Sequence, residues 1–424
     1  MDTMIDTPGD TPGDTAIHTT PSDTTAFDTV VVGAGIAGAA LAWQLLQDAP
    51  QHRVLLLERE AQPGMHSTGR SAAMWMPSYG PPAVRALTRA SGPFYAAPPP
   101  GFSDVPLLPP RGVLYVAAPG QQAALDALQA ELAPACPGLQ RLDAAATLAR
   151  APWLRADQLL GSLWDAQSTD IDVHALHQGF LRGFRREGGL LRCGAELLSA
   201  QWHAGQGWQI ALAGGSTLQA TRLVNAAGAW GDMLAARCGV APVGLVPRRR
   251  SAFTFRAPAG VATASWPLVA SVDAEGEGWY LKPDAGQLLG SPANADATHP
   301  QDVQPEELDI ALAIHRIEAA TTLHVGRPTA TWAGLRSFVA DGELVIGFDD
   351  ACPGFFWLVG QGGYGIQSAA GAAALAAALV CGRPLPDALR AEGLDPAAVA
   401  VQRLRQGGHA SPACRLGDAA PGQG

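Results

Sequence analysis

The chain has 424 residues, enough for two packed domains, and its 47% hydrophobic and 16% charged residues are typical of a folded globular protein. The formal charge of −10 argues against nucleic acid as the main partner. The longest apolar stretch, about Ala369 to Cys381, is shorter than the roughly 18 residues that suggest a membrane span. Because the sequence also shows no basic and apolar leader, we expect a cytoplasmic protein with no transmembrane segment.

The first predicted ordered unit begins at Phe27. Residues 1–26 contain the repeat DTPGDTPGDT and show no apolar periodicity, which predicts a disordered tail. A β-rich run over Thr29–Val32, a glycine turn, a helical pattern over Ala39–Leu46 and a buried-type strand over Val54–Leu57 predict strand, helix, strand. This order is typical of the opening of a doubly wound α/β domain.

The later segments predict that this domain is interrupted and then resumed. Alternation from Val246 to Leu289 is typical of an antiparallel sheet, whereas the strand Phe355–Val359, a glycine turn and an alanine-rich helix repeat the opening pattern. We therefore predict an α/β protein with a discontinuous Rossmann-like domain and an inserted, mainly antiparallel β-sheet substrate domain. The predicted boundaries assign 27–80, 165–245 and 325–405 to the first domain, 81–164 and 246–324 to the second, and 406–424 to a flexible C-terminus.

A GxGxxG pattern lies between the first predicted strand and helix and spans Gly33, Gly35, Ile36, Ala37 and Gly38. Backbone N–H groups and the helix dipole can receive a pyrophosphate at this place. Glu58 ends the second predicted strand, where a carboxylate can accept ribose hydroxyls. The pattern predicts dinucleotide binding but does not distinguish NAD from FAD, and a purely structural glycine turn is the alternative.

The segment GMHSTGRSAA (64–73) resembles the loop that lies under the flavin in the D-amino-acid oxidase family of FAD-dependent oxidoreductases. The segment EREAQPG precedes it, and RRRSAF, YLKPDAGQLLGSPANAD, TWAGLRSF and QGGYGIQ follow it, so the resemblance runs from about residue 27 to the C-terminal region. It looks closest to the D-arginine dehydrogenase branch. The resemblance implies noncovalent FAD and a sheet-based substrate domain that covers the isoalloxazine.

The resemblance also implies cofactor-binding positions beyond the glycine pattern and Glu58. They are Arg59, Ser67, Thr68, Arg70, Ser71, Ala72, Gly228, Gly334, Gly362, Gly363, Tyr364, Gly365 and Ile366. The last five precede a predicted helix whose N-terminus favours negative charge at the cofactor. Structural glycines that only allow a strand to pack on a helix are the alternative for this loop.

Two arginines match the positions that bind the substrate carboxylate in this family, Arg250 and Arg336. Guanidinium groups suit this task because they pair with carboxylates through two parallel hydrogen bonds. A solvated basic patch over 248–250 is the alternative for Arg250. The resemblance further assigns Tyr79, Tyr280 and Gly363 to the catalytic region, although either tyrosine could be a partly buried core residue.

The resemblance places the substrate side chain against apolar residues, namely Met74, Met76, Val113 and Leu268. The family has an imidazole where this chain has Met74. The segment Arg111–Tyr115 offers no carboxylate to meet a guanidinium, and an unpaired buried charge is strongly disfavoured. We therefore predict a preference for neutral or apolar side chains. Lys282, two residues beyond Tyr280, either approaches the flavin or is a solvated edge lysine.

No metal site is expected. The six cysteines lie far apart and form no CxxC pair, and His174 and His177, three residues apart on a predicted helix, are interpreted as a surface pair.

These features predict FAD-dependent oxidative deamination of D-amino acids. The implied reaction transfers a hydride from Cα to flavin N5, and hydrolysis of the imino acid gives a 2-oxo acid and ammonia. The expected partners are a small amino-acid substrate and an electron acceptor that the sequence does not identify. An oxidase of glycine, sarcosine or another secondary amine is one alternative, and a non-catalytic flavin-binding sensor is another.

Overall fold

A computed structural model describes residues 26–272 and 278–405. Residues 1–25 of the predicted tail and the whole predicted C-terminal segment 406–424 lie outside the described residues. The first strand begins at Ala26, one residue before the predicted boundary.

The strands, in chain order, are β1 Ala26–Val32, β2 Val54–Leu57, β3 Met74–Trp75, β4 Val113–Ala117, β5 Gln140–Asp143, β6 Gly161–Asp165, β7 Thr169–Asp170, β8 Leu190–Arg192, β9 Leu197–His203, β10 Gly207–Leu212, β11 Thr217–Asn225, β12 Val246–Phe255, β13 Leu268–Ser271, β14 Tyr280–Asp284, β15 Gln287–Ser291, β16 Asp296–Ala297, β17 Ala330–Phe338, β18 Val345–Phe348 and β19 Phe355–Val359. The helices are α1 Ile36–Asp48, α2 Pro82–Ala96, α3 Gln122–Leu132, α4 Ala144–Arg150, α5 Val173–Arg186, α6 Gly231–Arg237, α7 Glu307–Ala320, α8 Ala369–Val380, α9 Asp387–Ala391 and α10 Gln402–Arg405. Short 3-10 turns occupy Ala156–Gln158, Gly228–Trp230 and Pro396–Val399.

The first sheet carries the nucleotide-binding topology. Its strand order is β18-β19-β11-β1-β2-β8, with β10 and β9 continuing from β11. The central strands β19, β11, β1, β2 and β8 run parallel. Apolar side chains of α1, α5 and α8 pack together against one face of this sheet. The predicted doubly wound α/β domain is therefore confirmed.

The second sheet has the order β16-β12-β15-β14-β13-β4-β6-β5, and β17 pairs with the free side of β12. All of these pairs are antiparallel except β4 with β13, which confirms a mainly antiparallel inserted sheet. Successive side chains in a strand point to opposite faces. Phe253 and Phe255 of β12 enter the core together with Ile310 and Ile317 of α7. Arg250 consequently lies on the opposite face of the sheet.

Two predicted domain boundaries differ from the structure. The sequence assigns 325–405 to the nucleotide-binding domain, but β17 belongs to the second sheet because it pairs with β12 along nine residues. The sequence assigns 81–164 to the substrate domain, but α2 packs against α8. A side chain at Gly371 in α8 would lie 2.4 Å from the backbone oxygen of Leu87 in α2, so the two helices meet closely. No helix within the described residues has the length and apolar character needed to cross a membrane.

Candidate active site

The turn after β1 closes so tightly that it requires glycine at two positions. Gly33 has a φ of +107°, and a Cβ there would lie 2.4 Å from the backbone oxygen of Ala226. A Cβ at Gly38 would lie 1.9 Å from the oxygen of Gly33. The chain therefore passes directly from β1 into α1, and the start of the helix is left facing a cavity.

The cavity has two connected parts that meet at Gly35, Ser67, Thr68 and Gly228. The first part is also lined by Gly33, Glu58 and Arg59. Other predicted cofactor-binding residues line the second part, namely Ile36, Ala37, Arg70, Ser71, Ala72, Gly334, Gly362, Gly363, Gly365 and Ile366. Gly38 and Tyr364 do not line it. Gly38 supports the turn from behind, and Tyr364 packs its ring against Phe338 and Tyr79.

Glu58 is held in place at the end of β2. Its carboxylate accepts hydrogen bonds of 3.0 Å from the backbone N–H groups of Ala34 and Glu60. The guanidinium of Arg59 lies 4.7 Å from the ring centroid of Trp230, and this ring also lies against His66. Trp230 lies nearly 200 residues after the GxGxxG pattern, and only the tertiary fold places it in the cavity lining. No local pattern in the sequence indicates this, so the sequence analysis missed it.

Several features of the cavity fit the FAD that the sequence resemblance implies. Glycines stand where side chains would intrude: a Cβ at Gly363, for example, would lie 3.0 Å from a terminal nitrogen of Arg336. The side-chain nitrogen of Gln361 is buried at the cavity wall and has no hydrogen-bond partner within the described residues. Buried donors are normally satisfied, so this amide is available to a polar acceptor of a bound group. Gln361 was also missed by the sequence analysis.

Arg250, Tyr280 and Arg336 lie together in the second part of the cavity. The pairing of β12 with β17 sets Arg248 opposite Arg336 and Arg250 opposite Gly334, which places both cavity arginines on one face of the sheet. Arg250 donates to the backbone oxygen of Asn294 at 2.5 Å. Among the described residues, no carboxylate lies within ion-pair distance of Arg250 or Arg336.

The electrostatics of this group favour a bound anion. Burial and the nearby Arg336 guanidinium lower the pKa of Arg250 to about 10. Burial raises the pKa of Tyr280, but the positive charges of Arg336 and Arg250 outweigh burial and lower it overall. Arg249, by contrast, points to the other face and pairs with Asp309 at 3.0 Å. Two neighbouring cations without a carboxylate partner are costly to bury, and a substrate carboxylate would relieve that cost.

Tyr79 does not line the cavity. The residue is 38% exposed, and its ring meets that of Tyr364 edge-on with 5.1 Å between centroids. Gln367 holds the loop that carries Tyr79. The amide nitrogen of Gln367 donates to the backbone oxygen of Tyr79 at 3.3 Å, and its amide oxygen accepts from the backbone N–H of Met76 at 3.3 Å.

The predicted side-chain pocket residues are brought together, but they do not line the cavity. Met74, Val113 and Leu268 are buried in one apolar cluster, against which Met76 and Tyr280 pack. Because Tyr280 borders both the cluster and the cavity, the apolar residues form a layer behind the cavity wall.

Lys282 is neither a solvated lysine nor a cavity-lining one. It is 5% exposed, and its ammonium pairs with Asp170 at 2.7 Å. Arg111 donates to the other oxygen of the same carboxylate at 2.7 Å. The carboxylate of Asp170, which lies opposite Met74 of β3, is therefore already shared by two cations. The Lys282–Asp170 pair joins residues 112 apart in the chain.

His177 also differs from the prediction of a surface pair. It is buried, its Nε2 lies 2.9 Å from the backbone oxygen of Ala34, and burial lowers its pKa. A side chain at Gly64 would collide with this ring, so His177 packs directly against the start of the segment 64–73. Within the described ranges, no group of three or more His, Cys, Asp or Glu side chains could hold a metal ion.

Comparisons with known proteins agree with this fold. The family model described as "FAD dependent oxidoreductase" (DAO) matches residues 28–379. Mitochondrial L-2-hydroxyglutarate dehydrogenase from Caenorhabditis elegans is 27% identical over 226 residues, and the match covers 51% of each chain, about half the length of that relative. Glycine oxidase from Geobacillus kaustophilus superposes with a TM-score of 0.74 at 22% identity, covering 89% of this chain and 99% of that one. L-proline dehydrogenase from P. horikoshii superposes with a TM-score of 0.76 at 18% identity, covering 90% and 98%.

Proposed function

The chain belongs to the DAO family of FAD-dependent oxidoreductases, and from that membership we propose that it is a D-amino-acid dehydrogenase with noncovalent FAD and a preference for neutral or apolar side chains. The observation that carries the proposal is the Arg250–Arg336 pair, which lines the cofactor cavity beside Tyr280 without a carboxylate partner among the described residues. FAD, when bound, supplies the acceptor for the two electrons that leave the substrate Cα.

The protein contributes binding and orientation. The two guanidinium groups hold the substrate carboxylate, which fixes the direction of the Cα–H bond. The Tyr280 hydroxyl interacts with Arg250 and Ser291 and is placed to contact the same carboxylate. Loss of a proton from the substrate amine and of a hydride from Cα gives an imino acid, and water converts this product into a 2-oxo acid and ammonia.

The preference for neutral side chains rests on the surroundings of Tyr280. The adjoining cluster is apolar, and methionines such as Met74 adapt to irregular apolar ligands. Arg111 and Lys282 already neutralise the carboxylate of Asp170. The carboxylate of Asp165, which lies opposite Val113 on β6, is fully buried and accepts hydrogen bonds from the Ser168 hydroxyl and the Gln167 N–H. A substrate guanidinium would therefore enter without a partner.

We predict that D-Leu, D-Met or D-Phe has a higher kcat/KM than D-Arg. Each buried methylene adds about 0.8 kcal/mol, or about fourfold, whereas the charge of D-Arg gains nothing from apolar surroundings. Steady-state kinetics on this panel measures the preference, and a wild-type enzyme that favours D-Arg would refute the apolar-pocket argument.

We also predict that affinity for the carboxylate probe benzoate falls as the pH rises through about 10. Arg250 loses its positive charge in this range, because burial and Arg336 lower its pKa to about 10. Tyr280, whose pKa is also lowered, gains a negative charge as the pH rises. Both ionisations therefore weaken the binding of an anion. Spectroscopic titration of benzoate between pH 7 and 10.5 tests this. An affinity that stays flat across the range would contradict it.

A further inference from the structure

Arg70 lines the cavity, yet its guanidinium is already occupied. It donates to the backbone oxygens of Met65 at 3.2 Å, Val303 at 3.0 Å and Ala333 at 3.0 Å, and it pairs with Asp302. An arginine has five N–H donors in a fixed fork, so four acceptors use most of them. A cofactor phosphate could recruit Arg70 only by breaking these contacts. We therefore interpret Arg70 as a residue held by protein contacts rather than by a cofactor phosphate.

The contacts of Arg70 are part of a seam between the cofactor loop (64–72) and β17. The Ser67 hydroxyl donates to the Leu335 oxygen at 2.5 Å, and the indole N–H of Trp332 donates to the Arg70 oxygen at 3.1 Å. We define these two bonds and the bond from Arg70 to Ala333 as the loop–strand seam. Alternate carbonyls of a strand point to the same edge, so Ala333 and Leu335 present theirs on one side.

That side is the edge of the sheet. Among the described strands, β17 pairs only with β12, which leaves the backbone groups of its outer edge without a neighbouring strand. Side chains of the cofactor loop take the place of that strand. Val303, Ala333 and Leu335 also pack with Ala229, which lines both parts of the cavity. The edge is therefore held by hydrogen bonds and by an apolar contact to the cofactor site.

Arg336 directly follows this edge. It stands one residue beyond Leu335, and its guanidinium lies against Gly363 on the opposite cavity wall. A shift of β17 relative to the cofactor loop would therefore move the carboxylate-binding group relative to the cofactor.

We propose that Arg70 is a positioning residue that fixes β17, and with it Arg336, to the cofactor loop, so that cofactor binding and substrate-carboxylate binding strengthen each other. The inference rests on the proposed carboxylate site. Because coupling between two sites is reciprocal, FAD should raise the affinity for a carboxylate and a carboxylate should raise the affinity for FAD by the same factor.

The test measures the Kd of FAD for apoprotein by flavin fluorescence, with and without saturating benzoate. In the wild type, benzoate should tighten FAD binding about tenfold, within the usual range for coupled sites. In Arg70→Met the coupling should fall below about twofold, and benzoate affinity of the FAD-loaded protein should drop about tenfold. Arg70→Lys, which keeps the charge but offers fewer donors, should give intermediate values.

Two variants serve as controls. Asp302→Asn removes the ion pair of Arg70 but leaves its contacts with the carbonyl oxygens. Because the Asp302 side chain is 62% exposed, the coupling between FAD and benzoate binding in this variant should stay close to that of the wild type. Arg59→Met removes a guanidinium from the cavity without touching β17, so it should weaken FAD binding and leave benzoate affinity of the loaded protein unchanged. If Arg70→Met does not fold, Trp332→Phe removes one seam bond while keeping a ring, and the coupling should fall about threefold.

The outcomes separate this inference from the proposed function. Wild-type protein that binds benzoate without coupling to FAD, or Arg70→Met that keeps the coupling, would overturn the inference alone. A variant that loses FAD affinity but keeps benzoate affinity would show that Arg70 is a cofactor ligand after all. Wild-type protein that fails to bind benzoate would overturn the carboxylate site and this inference together.

Discussion

Arg336→Met is expected to lower kcat/KM for a D-amino acid by about 100-fold, with FAD still bound. Charge-assisted hydrogen bonds contribute about 1.5–3 kcal/mol each, and a bidentate pair contributes two of them. The substitution keeps much of the side-chain volume but removes all donors to the carboxylate. Arg250→Met should have an effect of the same order, because Arg250 lines the same cavity on the same face of the sheet.

Arg256→Met is a matched control for this pair. Arg256 is exposed and follows the last residue of β12, the strand that carries Arg250, so its loss should change kcat/KM by less than about twofold. Flavin absorbance per protein reports cofactor loading in each variant. Wild-type kcat/KM in both Arg250→Met and Arg336→Met would eliminate the proposed carboxylate site.

Gly38→Ala is expected to abolish stable FAD binding. The added methyl group would lie 1.9 Å from the oxygen of Gly33, a backbone atom that cannot move aside without opening the turn. Since Gly33 and Gly35 of this turn line the first part of the cavity, we expect FAD affinity to fall by about 100-fold or more and the purified protein to be colourless.

Gly326→Ala is the matched control for the glycine substitution. A Cβ added at Gly326 would have no atom within 4 Å apart from those of its chain neighbours. The variant should therefore keep one FAD per chain and a Tm close to that of the wild type. Gly38→Ala that purifies with a full complement of FAD would show that the close approach in this turn is not needed for the cofactor.

The parts of the site that follow from local pattern could be predicted from the sequence. The glycine spacing after β1 directly encodes a turn, and strand alternation in β12 separates Arg250 from Phe253. Two-residue periodicity and turn chemistry act over a few residues, so they remain readable without the fold.

The parts that depend on distant segments could not be predicted. The Lys282–Asp170 pair joins residues 112 apart, and the His177–Ala34 contact joins residues 143 apart. Charged or polar residues of this kind look exposed in a linear sequence, and only the tertiary contact explains their burial. The same reason explains why the edge position of β17, and the use of Arg70 to cover it, appear only in the folded chain.

The most direct test of the proposed function is anaerobic mixing of the purified, FAD-loaded protein with single candidate substrates, followed by the absorbance of oxidised flavin. The panel contains D- and L-amino acids, glycine, sarcosine and L-2-hydroxyglutarate. We predict rapid bleaching by apolar D-amino acids and little or none by their L-enantiomers. Bleaching by glycine, sarcosine or L-2-hydroxyglutarate but by no D-amino acid would contradict the proposal, and absence of bleaching by every compound would favour a non-catalytic flavin-binding protein.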